Sequence, residues 1–170
     1  MDEQFIYLDG ADEREQVIER LREVRQAVLN IADQLPESHH YSPRYNGQSL
    51  AVMLARLHMF DRTMLWMIRA ASNGYPLRIP RGAVGFVDAV ARWTFQKRLV
   101  EVTMRGVRKQ EQEIIEFVRT VPLDALSKDV PHPGKKDVYT VERAIQVFFI
   151  HHWEQQLMLM QQVDGVAGRM

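Results

Sequence analysis

Apolar side chains recur every three or four residues in four stretches of the chain, which is the spacing of the buried face of an amphipathic α-helix. The helices predicted from this pattern cover residues 12–35, 49–73, 95–120 and 140–163. Pro36 and Pro122 follow the first and third helices, and Asn73-Gly74 closes the second because both residues tolerate positive φ.

The lengths of the links between these helices indicate how the helices are arranged. Four amphipathic helices, with no convincing strand and no internal repeat, predict an all-α four-helix bundle in a single domain over residues 1–170. The link from Gly74 to about Thr94 is too long for a hairpin between antiparallel neighbours. We therefore expect an up-down-down-up path, with a long crossover between helices 2 and 3 and with helix 4 antiparallel to both.

The buried face predicted for the fourth helix is interrupted by polar side chains at its midpoint. These are two imidazoles and two amides: His151, His152, Gln155 and Gln156. Buried polar groups are costly unless they have partners. The neighbouring helices, a ligand or a metal must therefore supply those partners.

The second and third helices carry polar residues at a similar depth of the predicted bundle. Asp61 interrupts the apolar stripe of helix 2, with His58 beside it, and Gln110 lies in the stripe of helix 3. We expect these side chains to converge with His152 and Gln156 in a central pocket, to which helix 1 contributes only apolar residues. Two chemistries would suit such a pocket.

The first chemistry is a divalent metal, Zn²⁺ or Ni²⁺, with His58, His151 and His152 as candidate ligands. Ligands on one helix need i, i+3 or i, i+4 spacing, and helix 4 offers His151 with Gln155, His152 with Gln156, or His151 with Glu154. The second is a metal-free polar layer in which His152 hydrogen-bonds Asp61. Adjacent histidines point about 100° apart on a helix, and glutamine is a weak ligand at the i+4 position. This degenerate spacing favours the absence of a metal.

Overall composition narrows the possible partners. The chain has 22 Lys and Arg against 22 Asp and Glu, which argues against a nucleic-acid partner. The absence of Cys excludes thiol nucleophiles, disulfides and Cys-based zinc sites. No apolar run reaches transmembrane length, and the N-terminus is acidic where a signal peptide would be basic. We therefore expect a cytoplasmic protein with no membrane partner.

Three features of single residues add to this picture. His39 and His40 are expected to be solvated in a loop flanked by Ser and Pro. Arg78 and Arg81, in the crossover, are expected to be solvated unless the crossover covers the bundle mouth, where they could bind an anionic substrate. Gly106 lies within helix 3, where it costs roughly 1 kcal/mol relative to Ala, so a close helix contact or a ligand near the backbone would account for it.

The segments SLAVMLARLHMFDRTML, PLRIP and TVERAIQVFFIHHWEQQLMLM resemble the DinB/YfiT-like superfamily of four-helix bundles. In that family, helix-2 and helix-4 motifs of the types LAHLxDxE and HxxxHxxQ supply three histidines to one divalent metal. The resemblance aligns Arg56 with the first histidine and Asp61 with the final acidic position. It aligns His152 and Gln156 with the other two histidines, or His151 and Gln155 after a shift of one residue.

The resemblance implies two classes of function. One is a small-molecule enzyme of the thiol-dependent transferase, isomerase or hydrolase type, with His152 as a metal ligand, or as a general base paired with Asp61. The other is a non-catalytic, metal-free bundle that binds a ligand or dimerises. The family's habit of pairing through helix faces also implies a homodimer.

Overall fold

The computed structural model describes residues 5–80, 89–90 and 93–164. The first elements along the chain are α1 (Ala11–Gln34), α2 (Glu37–His40), α3 (Leu50–Ser72), α4 (Val100–Thr120), α5 (Leu123–Leu126), β1 (Asp129–Pro131) and β2 (Val138–Thr140). The chain then continues through α6 (Val141–Gln146), a π-helical turn (Val147–His151) and α7 (His152–Asp164), which together we call the C-terminal helix. The all-α fold predicted from the sequence is confirmed.

Two hydrophobic clusters show how the long helices run. One cluster joins the first half of α1 and the first half of the C-terminal helix to the second halves of α3 and α4. The other joins the second half of α1 and α7 to the first halves of α3 and α4. Helix α1 and the C-terminal helix therefore run in one direction, and α3 and α4 run in the opposite direction. This confirms the up-down-down-up path.

A short hairpin before the C-terminal helix is the main departure from the prediction of helices alone. Strands β1 and β2 pair antiparallel, with Val130 opposite Tyr139. Strands of three residues are too short to show a reliable alternation of polar and apolar positions, so the sequence pattern does not reveal them. Gly134 takes a positive φ of 75° between the strands, and its N–H donates to the Ile79 carbonyl of the crossover at 3.4 Å.

The C-terminal helix differs from the regular helix that its apolar spacing predicts. The five residues Val147–His151 form a π-helical turn, and the His152 N–H bonds to the Val147 carbonyl. One residue more is accommodated per turn there than in an α-helix, so side chains after the turn face other neighbours than a regular helix would give them. Within the described residues, no helix combines the length and apolar character needed to span a bilayer.

Candidate functional site

A buried ion pair lies at the centre of the bundle, between the two hydrophobic clusters. Arg25 of α1 and Asp61 of α3 are both fully buried, and their Nη2 and Oδ2 atoms are 2.7 Å apart. Arg25 Nη1 also donates to the Phe149 carbonyl at 2.7 Å. Trp153 Nε1 donates to Asp61 Oδ1 at 3.1 Å, and the Arg25 guanidinium stacks 4.7 Å from the centre of the Trp153 ring. The cluster thus ties three helices together.

Burial and the paired groups have opposite effects on the pKa of Asp61. Burial raises the pKa of the Asp61 carboxyl, while the Arg25 guanidinium and the Trp153 N–H act in the opposite direction. Arg25 Nε is buried and has no hydrogen-bond partner among the described residues. The Phe149 carbonyl belongs to the π-helical turn, where the i→i+4 ladder is interrupted. The Phe149 carbonyl accepts its hydrogen bond from Arg25 of α1 at this interruption.

Two expectations about the centre of the bundle are wrong: the hydrogen bond between His152 and Asp61, and a first helix that contributes only apolar residues. The oxygens of Asp61 accept hydrogen bonds from Arg25 and Trp153, and the expected bond from His152 is not formed. Residues adjacent on a helix point about 100° apart, and after the π-helical turn Trp153 is the one directed at Asp61. Helix α1 is also not purely apolar. A signal for Arg25 was present, because it falls in a second buried row of α1 with Ile18, Leu29 and Ala32.

His152 lies against α3 at a different place from the ion pair. Its ring is 4.3 Å from the ring of Phe60, centre to centre. Burial, and secondly the charge of Arg56, lower the pKa of His152 from 6.5 to about 4. Arg56 in turn donates from Nη1 to Gln48 Oε1 at 2.6 Å. The charge of Arg56 thus acts on His152, and these are two of the positions that the resemblance aligns with metal ligands.

The three histidines expected to share a metal face three different neighbours. His58 packs on α4, where a Cβ added to Gly106 would lie 2.6 Å from its Cε1 atom. His151 is buried, with Nδ1 3.0 Å from Glu154 Oε2. His152 packs on Phe60. In the part of the chain that the structure describes, no three His, Asp or Glu residues are grouped so that they could hold a metal ion. The predicted metal set of His58, His151 and His152 is therefore not assembled.

The neighbours of His58 and His151 account for two pKa shifts in this region. Burial and the charges of Arg98 and Arg62 lower the pKa of His58. Burial alone would raise the pKa of Glu154, but hydrogen bonds from His151 and Arg20 outweigh it, so that pKa is lowered. Each imidazole thus belongs to its own local set of contacts.

The glutamines of the predicted pocket differ in their burial. Gln110 is buried on α4, Gln156 is half-buried and Gln155 is exposed on α7. A cleft of about 650 Å³ instead lies near the start of α3, lined in part by Gln48, Val52 and Lys97. Through Gln48, this cleft adjoins Arg56. The solvation expected for His40 is wrong, because it is buried with Nε2 3.1 Å from the Leu35 carbonyl.

Comparison with known proteins bears on the fold. No family model matches the sequence, and no match is found among curated proteins. Among solved structures, the chain is similar to YfiT from Bacillus subtilis, described as a probable metal-dependent hydrolase with an unusual four-helix bundle topology. The TM-score is 0.73 at 13% identity, over 97% of this chain and 93% of that one. The chain therefore has the four-helix-bundle fold of YfiT, which confirms the resemblance to the DinB/YfiT-like superfamily at the level of the fold.

Proposed function

We propose that this chain is a metal-free, ligand-binding member of the fold, and that its ligand is a small molecule with a carboxylate. The observation that carries the proposal is the position of Arg56, whose charge acts on the half-buried imidazole of His152. A permanent cation thus acts on the one histidine that this chain keeps at the aligned motif positions.

The side chains present at this place do not fit a divalent metal. The resemblance assigns the three ligand positions to Arg56, His152 and Gln156. A guanidinium stays protonated at all physiological pH values and has no lone pair to donate. It would also repel the metal, and a glutamine amide is a weak ligand for Zn²⁺ or Ni²⁺. One neutral imidazole is then the sole strong donor.

The same side chains suit an anionic organic ligand. The planar fork of Arg56 matches a carboxylate, and His152 is neutral at pH 7, because its pKa is about 4. Phe60 adds an aromatic surface beside the imidazole. The adjoining cleft of about 650 Å³ falls within the 300–1,000 Å³ usual for small-molecule sites.

Metal content and thermal melting of the purified chain test the metal-free part of the proposal. We expect no stoichiometric metal and no rise in Tm with Zn²⁺ or Ni²⁺ for the wild type. The double variant Arg56→His, Gln156→His restores histidine at all three motif positions. It should gain a Zn²⁺-dependent rise in Tm, since a metal that binds only the folded state stabilises it. Stoichiometric metal in the wild type would contradict the proposal.

Titration with benzoate, followed by NMR, tests the carboxylate part. We expect saturable shifts of the His152 ring protons, and their loss in Arg56→Gln. Arg105→Gln is the matched control, because it removes the same charge from an exposed position on α4. Equal loss in both variants would mean that general charge, and not Arg56, attracts the anion.

A second candidate is a small-molecule hydrolase or thiol-dependent transferase that uses a metal, with His152 and Asp61 in catalytic roles. The likeness of fold to YfiT favours it, because that protein is described as a probable metal-dependent hydrolase. The metal measurement above distinguishes the two candidates. Homodimerisation through a helix face and a cytoplasmic location stay predictions.

A further inference from the structure

A second cleft, separate from Arg56 and His152, lies between the crossover and the β1–β2 hairpin. Its volume is about 210 Å³. Among the described residues, which do not include Arg81, the charged side chains lining it are Arg78 from the crossover, Lys135 and Lys136 from the hairpin turn, and Asp137. Three cations against one carboxylate leave this lining with a formal charge of +2, although the whole chain is neutral.

One backbone hydrogen bond joins the two walls of this cleft, and two more lie within the hairpin. The Gly134 N–H donates to the Ile79 carbonyl at 3.4 Å, which ties the turn to the crossover. Within the hairpin, the His132 N–H donates to the Asp137 carbonyl at 2.9 Å, and the Lys135 N–H donates to the His132 carbonyl at 3.3 Å. Lys135 and Lys136 are therefore carried by a hydrogen-bonded turn.

The imidazole of His132 also lines the cleft, and its orientation is defined. Nδ1 lies 2.8 Å from the Pro133 carbonyl oxygen, and because a carbonyl can only accept, Nδ1 must carry the proton. The ring packs against Phe148 and Tyr139, at 5.7 and 5.6 Å between ring centres. Nε2 is the ring nitrogen that remains, and it forms no hydrogen bond to the described residues.

We propose that this cleft binds the phosphoryl group of a small phosphate monoester. A phosphate monoester carries a charge of about −1.5 to −2 near pH 7, which complements the formal charge of the lining. Arg78 can present a fork to two oxygens, while Lys135 and Lys136 act as point charges on the others. A space of about 210 Å³ is below the usual range for whole ligands, so it would hold the charged group while the rest of the molecule projects outward.

Titration of the full chain with inorganic phosphate and with glycerol 3-phosphate, at constant ionic strength, tests this assignment. Amide shifts in ¹H–¹⁵N spectra should saturate at Gly134, Lys135 and Lys136. The variant Lys135→Gln, Lys136→Gln should bind roughly tenfold more weakly, since two charge-assisted contacts are lost. Both lysines are exposed, so the variant is expected to fold, and an unchanged Tm would confirm that it does.

The matched control is Arg105→Gln, Lys109→Gln, which removes the same charge from exposed positions of α4. Its phosphate affinity should equal that of the wild type. Asp137→Asn should bind about two- to fivefold more tightly, because an opposing charge of ordinary surface strength is removed. Its backbone bond to His132 does not use the side chain.

Three results would overturn the proposal: shifts that do not saturate, equal weakening in the control variant, or weaker binding in Asp137→Asn. A lipid headgroup could supply the same phosphoryl chemistry, so vesicles containing phosphatidic acid form a separate arm. We expect no sedimentation of the chain with these vesicles. Binding to vesicles without binding to glycerol 3-phosphate would overturn the assignment to a small molecule.

Discussion

His152 is an imidazole that the folded chain keeps neutral far into the acidic range. Its pKa is lowered from 6.5 to about 4, first by burial and then by the charge of Arg56. The unfolded chain takes up the proton below about pH 6.5, while the folded chain does not until about pH 4. The stability that neutral His152 contributes is therefore fully present above pH 6.5 and is lost as the pH falls towards 4.

This linkage gives a prediction for a single side chain. Between pH 7 and pH 4 the free energy of unfolding should fall by up to about 3 kcal/mol through this group. His152→Gln removes that part of the dependence, which urea unfolding at several pH values would show. Arg56→Gln should move the pKa of His152 upward, measured by NMR titration of the ring protons. A His152 that titrates normally in the wild type would contradict the half-buried position of its ring.

The sequence located buried polar positions better than it identified their partners. Asp61 and Gln110 are buried as their places in apolar stripes predict. The partner of Asp61 could not be read in the same way, because it depends on how far the C-terminal helix is rotated. The π-helical turn changes that rotation, and its sequence Val147–His151 shows no Pro or Gly to mark it. The periodicity of apolar residues thus predicts which polar side chains are buried, but not which side chains they face.

At the scale of elements, the contact between α3 and α4 depends on Gly106. The expectation of a close helix contact at this glycine is confirmed, because the tip of His58 occupies the space where a side chain would start. Gly106→Ala gains roughly 1 kcal/mol in helix propensity, but it forces His58 to move, at a cost of about 1–3 kcal/mol for overpacking.

We therefore predict that the effect of Gly106→Ala on stability changes sign with the residue at position 58. In the wild type it should lower the free energy of unfolding, and in the His58→Ala background it should raise it by up to about 1 kcal/mol. Chemical denaturation of the four proteins of this double-mutant cycle is the measurement. The same sign in both backgrounds would show that His58 does not limit the approach of the helices.

The ion pair of Arg25 and Asp61 couples α1 to α3 and, through Trp153, to the C-terminal helix. Removing one partner leaves the other buried and uncompensated, so Asp61→Leu alone should cost about 3–5 kcal/mol. Replacing both, as in Arg25→Met, Asp61→Leu, should restore most of that loss because no charge remains in the core. Trp153→Phe retains the ring but removes one donor to Asp61, and we expect a loss of about 1–3 kcal/mol.

Thermal and urea unfolding of these variants measure how much the ion pair contributes to stability. If Asp61→Leu unfolded no more easily than the wild type, the burial of the ion pair would be in doubt. A double variant as unstable as the single one would mean that the pair contributes more than the removal of unpaired charge. Leu123→Ala, at an exposed position outside the core, should change little.

At the scale of the whole molecule, link lengths were sufficient to predict the path of the chain. The link from residue 73 to residue 99 is too long for a hairpin between antiparallel neighbours, and α4 runs parallel to α3, as the two hydrophobic clusters show. The closing of the bundle at its far end was not predictable, because it joins residues distant in the chain. Tyr45 and Asp164 are 119 positions apart, yet the Tyr45 hydroxyl donates to Asp164 Oδ2 at 2.6 Å.

This contact fastens the end of the C-terminal helix to the segment that precedes α3, and Arg44 adds an ion pair to the same carboxylate. Burial, and then the hydrogen bond to Asp164, raise the pKa of Tyr45.

We predict that Tyr45→Phe lowers the free energy of unfolding by about 1 kcal/mol, the net value of one hydrogen bond. Asp164→Ala should lower it further, because it leaves the buried hydroxyl without its acceptor, whereas Gln162→Ala, at an exposed position of the same helix, should have little effect. Amide hydrogen exchange should then quicken in the last turns of α7 and around Tyr45 together, since one contact holds both. Faster exchange confined to α7 would show instead that the helix end frays independently of the rest of the bundle.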